Sequence, residues 1–318
     1  MRMLNLLPTP TYFENGVRSD LMLNVLLLGQ SGQLACELQL MLPASIRLKV
    51  LSFAEYSVLS SDELSHIFLN FKADWVINAV AYNQVDQAEL LPELAMAGNF
   101  YLVQRLQRLC ALTGSKLLHI STDYVFDGAQ FQPYKESVQP KPLNHYGNSK
   151  LLAEQWLQQE YAAHSVIIRT SWLYSVYGSN FVKTILQLMQ TKPQLQVVQD
   201  QIGSPCWAYG LACVIWQIIG SKTVLSGVYH WADSGYCSRY EFATEIQALG
   251  LQLGLLSHKA ELIPVNSEQF NSPAVRPVFS ALDSKLLKEL LSLPEVAWQH
   301  QLLQALPLFK PVSIDKKD

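Results

Sequence analysis

The chain has 318 residues, 49% of them hydrophobic and 15% charged, with a formal net charge of -3. That length and composition exclude a tail or linker and leave room for one large or two modest domains around a substantial core. Neither charge sign forms long blocks, so no phosphate-backbone footprint and no nucleic-acid partner is expected.

The first twenty-one residues contain Pro8, Pro10, Asn15, Gly16 and Asp20 and lack an apolar signal core. They are read as a disordered extension, or as the product of an upstream start codon that is not used. Met22 then opens a strand over Leu23 to Leu28, followed by a helix to about Leu42 and a second strand over Leu48 to Phe53. Helical periodicity returns over Asp62 to Phe71, and Ala73 to Ala81 reads as a buried strand. Leu90 to Leu112 forms a long amphipathic helix that feeds a strand ending at Ser121. A helix carrying Tyr146 and Lys150 leads to a strand over Val166 to Ser171. This alternation argues an α/β fold: a doubly wound, Rossmann-type parallel sheet with right-handed crossovers.

Beyond Trp172 the spacing is less regular, with loops near Tyr177, Asp200 to Pro205 and Ser272 to Pro277. The expected division is a dinucleotide-binding domain over 22–172 and a smaller C-terminal α/β substrate lobe over 173–318. Val228 to Trp231 reads as a strand that either returns to the main sheet or forms a small one. The longest apolar run, Leu211 to Ile219, falls well short of the roughly 18 residues of a membrane span and reads as a buried helix. No membrane partner is expected, and the cytoplasm is the expected location. The five cysteines (Cys36, Cys110, Cys206, Cys213, Cys237) are scattered, with no Cys-x-x-Cys, and the seven histidines give no His-Glu-x-x-His. Free thiols and no metal centre are the favoured readings.

Three local patterns carry chemistry. Tyr146 and Lys150 stand four residues apart, so in a helix the phenol and the ammonium share a face. A fixed positive charge lowers a phenol's pKa, which makes Tyr146 a candidate general acid. Gly29-Gln-Ser-Gly-Gln-Leu-Ala35 follows an apolar strand and opens a helix, the setting in which backbone N–H groups hold a pyrophosphate. Its spacing is Gly-x-x-Gly-x-x-Ala, a mild departure from the usual three glycines. The third pattern places Ser121 and Thr122 at the carboxyl end of a strand, where ligands of open parallel sheets bind. The irregular stretch from Phe126 to Tyr146 is read as part of the active-site rim. Trp75, Trp156, Trp216 and Trp231 are assigned to the core.

With these residues in place, the chain resembles the extended short-chain dehydrogenase/reductase superfamily, and within it the dTDP-4-dehydrorhamnose reductase family. The matching stretches run from Gly29-Gln-Ser-Gly-Gln through Val76 to Glu89, Ser121 to Gly128, Pro142 to Lys150, Arg169 to Tyr174, Asn180 to Thr184 and Asp200 to Pro205, ending at Arg276-Pro277. The resemblance implies a catalytic triad of Thr122, Tyr146 and Lys150 acting on the C4 keto group of a dTDP-sugar. Lys150 would hold the nicotinamide ribose and keep the Tyr146 pKa low. It implies cofactor contacts from Gly29, Gly32, Gln33, Leu34, Ala81, Tyr82, Asn83 and Asn99 besides Tyr146 and Lys150, and substrate contacts from Thr122, Trp172, Asn180, Gln201 and Arg276.

The second strand ends without the acidic residue that grips a ribose 2′-hydroxyl, and Arg47 and Lys49 are near in sequence. NADPH is therefore favoured as cofactor, with NADH open, and a homodimer is left open too. Two other readings compete. A dehydratase of the same fold lacks its second carboxylate here, because Tyr124 follows Thr122-Asp123. The other resembles the non-catalytic, dinucleotide-binding β subunit of methionine adenosyltransferase, on Val228 to Trp231 and Ser238 to Ala243.

Overall fold

The computed structural model describes residues 22–270 and 272–309. The expected N-terminal extension lies outside the described residues. Five strands, β1 (Leu23–Leu28), β2 (Ile46–Leu51), β3 (Trp75–Asn78), β4 (Lys116–Thr122) and β5 (Ser165–Thr170), join the Gly227–His230 strand in one six-stranded sheet. Every pairing in it is parallel, and β2 and β3 flank β1 on opposite sides. The chain reverses its direction across the sheet at that point, so the β1 and β3 ends diverge and open a crevice beyond their carboxyl termini. The Val228 strand thus returns to the main sheet.

The strands read as near-continuous apolar runs because helices cover both faces: Val25, Leu26, Leu27 and Leu28 are all fully buried. The Gln33–Leu40 helix packs beside the Ala208–Gly220 helix, whose Trp216 indole donates to the Leu38 carbonyl at 3.2 Å. One core holds Val25 and Ile77 from the first half together with Trp207, Trp216 and Trp231 from the second. The expected boundary at residue 172 therefore does not interrupt the core. Trp75 is buried as well, and Trp156 packs partly buried against the opposite layer.

What fixes the site is the seating of the His145–Glu160 helix. Asn144 caps it by accepting from the Gly147 N–H at 2.8 Å, and its amide donates to the Val275 carbonyl at 2.9 Å. Gly147 lies so close to the Tyr124 backbone that an added Cβ would collide with the Tyr124 carbonyl oxygen. Further along, Glu154 binds Arg169 of β5 through both carboxylate oxygens (2.6–3.1 Å) and accepts from the Ser121 hydroxyl of β4 at 2.5 Å. Arg169 and Glu154 are 3% and 1% exposed. Such a pair is held by its geometry and is costly to break from one side only. It welds the helix to the two strands whose ends carry the chemistry.

Candidate active site

The crevice is about 1490 Å³, larger than the 300–1,000 Å³ usual for a single small ligand, and it runs from the Gly29 turn to Trp172. Gly29 adopts φ 121°, which lets the chain turn sharply after β1 against Val80. A Cβ built on Gly32 meets nothing within 4 Å, so its backbone faces open space. The helix that begins at Gln33 has neither a side-chain cap nor an acidic residue in its first turn. Its first N–H groups are therefore available to an anion, as a dinucleotide's diphosphate requires. Gln33, Leu34, Ala81, Tyr82 and Asn83 line the same crevice.

Thr122, Tyr146 and Lys150 come together farther along the crevice, at the carboxyl end of β4. The Thr122 hydroxyl accepts from the Tyr124 N–H at 3.1 Å and donates to Asp123 at 3.2 Å, and the Tyr146 phenol lines the crevice beside it. Ser280 donates to the second Asp123 oxygen at 2.6 Å, and burial raises that carboxyl to about 6. The Lys150 ammonium donates to the Ile120 carbonyl at 2.5 Å and lies 3.3 Å from His119 Nε2. Asn78 accepts from the Val80 N–H through its carbonyl oxygen at 3.1 Å, and its NH2 lies 3.1 Å from His119 Nδ1. Burial pulls Lys150 down to about 8, opposed by Glu154.

Several expectations are corrected here. Burial raises the Tyr146 phenol, aided by Asp123 and Tyr124 and opposed by Thr122. Lys150 is not among the groups that act on the phenol, so the lowering expected from it is not found. Asn99, in a π-helical turn over Ala97–Tyr101, bonds the backbone of Tyr82 on both its N–H and C=O and the Ser149 hydroxyl. It shapes the cofactor wall from behind and does not line it. Arg47 and Lys49 lie over the Phe71 ring, away from the crevice. Ser52, Phe53 and Ser57 line the crevice at the end of β2, with Arg105 beside them. The nearby Glu55 is engaged in capping Ser52.

The substrate side differs more. Trp172 lines the crevice, with φ 41°, a left-handed backbone that non-glycine residues rarely hold. Asn180 caps the Phe181–Thr191 helix and donates to Gln33 at 2.9 Å, a strut between the two halves. Gln201 donates to Ser267 at 2.9 Å, and Arg276 pairs with Asp86 at 2.7 Å. None of these three lines the crevice. Residues 127–143 do not line it either: Tyr134 stacks on Phe126 at 4.1 Å and bonds Ala281, tying the stretch to the C-terminal segment. Arg239 does line it, although no local pattern singles it out.

Residues 23–310 match the family described as RmlD substrate binding domain. The chain belongs to that family. It is 36% identical over 274 residues (84% of this chain, 92% of the relative) to the spore coat polysaccharide biosynthesis protein SpsK of Bacillus subtilis. It is also 36% identical over 287 residues (88% and 97%) to the dTDP-4-dehydrorhamnose reductase of Aggregatibacter actinomycetemcomitans. Among solved structures, the dTDP-4-dehydrorhamnose reductase of Bacillus anthracis in complex with NADP superposes with a TM-score of 0.80 at 32% identity, covering 89% of this chain and 98% of the other. In this RmlD-family chain the glycine turn, the Thr122 hydroxyl and the Tyr146–Lys150 helix face lie along one continuous wall.

Proposed function

We propose that the chain is an NADPH-dependent reductase acting on the C4 keto group of a dTDP-linked deoxysugar, converting dTDP-4-dehydro-L-rhamnose to dTDP-L-rhamnose. The observation that carries this is that the Thr122 hydroxyl, the Tyr146 phenol and the Lys150 ammonium line one stretch of the crevice wall. Two hydroxyls so placed can both meet one carbonyl oxygen.

Reduced nicotinamide, when bound, supplies the hydride. As negative charge grows on the substrate oxygen, Thr122 and Tyr146 stabilise it through hydrogen bonds. Tyr146 then gives its proton to that oxygen, and its raised pKa keeps the proton in place until it is needed. Lys150, on the same helix face, supplies the positive charge that the departing proton leaves wanting. To take part, the Thr122 hydroxyl turns its single proton from Asp123, whose other oxygen keeps the Ser280 hydrogen bond, to the substrate oxygen. No carboxylate is free beside the end of β2 to receive a ribose 2′-hydroxyl, which favours the 2′-phosphate form of the cofactor.

The deciding experiment follows loss of NADPH absorbance with dTDP-4-dehydro-L-rhamnose and the full chain. Turnover is expected. NADPH binding without turnover of any 4-keto sugar nucleotide would instead mark a regulatory dinucleotide-binding subunit.

A further inference from the structure

We propose that Arg239 is the residue that receives the diphosphate of the sugar nucleotide, with Trp172 as the platform that aims it. This rests on the sugar-nucleotide reading above and adds the group that recognises the substrate's anionic part. The Arg239 guanidinium lies 3.6 Å from the centre of the Trp172 ring and 4.9 Å from that of Phe181. Trp172 is itself immobilised. It stacks on Phe242 at 6.2 Å, and its indole fills the space where any side chain at Gly203 would stand, 2.5–2.7 Å from a built Cβ. Its left-handed backbone is a strained conformation of the kind retained at ligand sites.

What sets Arg239 apart is that its donors are unused. The other cations lining the crevice are engaged: Arg105 donates to the Tyr56 and Leu59 carbonyls, and Lys150 to the Ile120 carbonyl. Among the described residues the Arg239 guanidinium makes no hydrogen bond and no ion pair. Asp123 acts on it electrostatically, but both Asp123 oxygens already accept from Thr122 and Ser280. A guanidinium tolerates stacking on aromatic faces while keeping its planar fork of N–H donors, which matches phosphate oxygens two at a time. Left unpaired at a half-buried position it is costly, and an incoming anion removes that cost.

The anion is not the cofactor's. The Gly29 turn follows β1, whereas Trp172 follows β5, three strands across the sheet, and Arg239 on Trp172 lies within electrostatic reach of Tyr124 and Asp123 just beyond β4. One crevice thus has two separate anion positions, and the second lies on the side of Thr122 and Asp123, where the sugar must sit. In a 4-keto sugar nucleotide the diphosphate is attached across the ring from the reacting carbon, so a cation beside the catalytic hydroxyls is within its reach.

The test compares binding of dTDP and of thymidine to the full chain and to Arg239→Met. In the variant dTDP affinity should fall by about 10–100-fold, the loss of one charged hydrogen-bonding partner, while NADPH and thymidine affinities hold. Arg239→Lys should lose less. Gly203→Ala, which displaces the Trp172 indole, should weaken dTDP in the same way. Unchanged dTDP affinity in an Arg239→Met protein that still binds NADPH overturns the proposal. Should that variant not bind NADPH, phenylglyoxal modification of the unaltered protein decides: dTDP must shield Arg239 and thymidine must not, and equal modification overturns it. A wild-type chain that neither turns over the dTDP-sugar nor binds dTDP sinks both this proposal and the reductase reading. Turnover that survives Arg239→Met with unaltered dTDP affinity sinks this proposal alone.

Discussion

The two ends of the crevice are built on different plans. At the cofactor end the wall is made of backbone: a glycine turn, an uncapped helix start and strand ends whose positions follow from sheet register. At the substrate end it is made of long side chains held by other long side chains, with Arg239 on Trp172, and Trp172 on Phe242 and against Gly203. A backbone-built end is set by the fold and resists substitution. A side-chain-built end can change its ligand by one replacement, so on the proposed reading specificity is expected to concentrate near β5 and activity between β4 and the Tyr146 helix.

The sharpest way to break that division is Tyr146→Phe. It removes only the proton donor, and kcat should fall by at least about 10²–10⁴-fold with NADPH and dTDP affinities unchanged. Comparable loss of cofactor binding would show that the phenol belongs to the wall as well as to the chemistry.

Next in size is the weld between the helix and the sheet. Glu154→Gln leaves Arg169 charged and buried with its principal partner weakened, and should cost about 3–5 kcal/mol in a denaturant titration. Replacing both residues with methionine should recover most of that loss in stability without restoring activity, since the Ser121 and Arg169 anchors that place Tyr146 are then gone.

A third test separates the protonation of Lys150 from the fold. Its folded value of about 8 lies below its ordinary 10.5, so between those values the unfolded chain binds more protons than the folded one. Stability should therefore rise with pH across that window. Activity should move the other way: kcat/KM falls about tenfold per pH unit above pH 8 as the cation beside the phenol is lost. Profiles that fall together would point to unfolding and away from titration of Lys150.

These tests also mark where the sequence was legible. The sheet, the glycine turn and the pairing of Tyr146 with Lys150 are local patterns: near-continuous apolar runs, a turn residue, an i,i+4 spacing. The roles of Asn180 and Gln201 were not, because a polar side chain in a loop reads alike whether it meets a ligand or a distant backbone. Asn180 bonds Gln33, 147 positions away, and Gln201 bonds Ser267, 66 positions away. Arg47 and Lys49 misled for the opposite reason: they lie within β2, short of the end that meets the crevice, and the strand's alternation turns both onto Phe71. Arg239 carried no local signature, since only the folded chain places it on Trp172.

The smallest expected effect discriminates between two arginines. Arg276 was a natural candidate for a phosphate contact, but it is paired with Asp86 at 2.7 Å, with the two side chains 21% and 41% exposed. The Arg276 hydrogen bond holds the Asp86 carboxyl below its ordinary value. The stability from that pair is therefore fully present above about pH 4 and is lost as pH falls through the lowered folded value. At this exposure the pair is worth no more than about 1 kcal/mol and weakens with salt. A double-mutant cycle over Arg276→Met and Asp86→Asn should return a coupling of that size, with dTDP affinity changing far less than in Arg239→Met. If Arg276→Met weakened dTDP as strongly as Arg239→Met, the ion pair would have to open on binding and the second anion position would be shared by both arginines. If it does not, the substrate end of the crevice reads anions through a single stacked guanidinium, and Arg276 serves only to hold the 274–277 segment against the Asp86 turn.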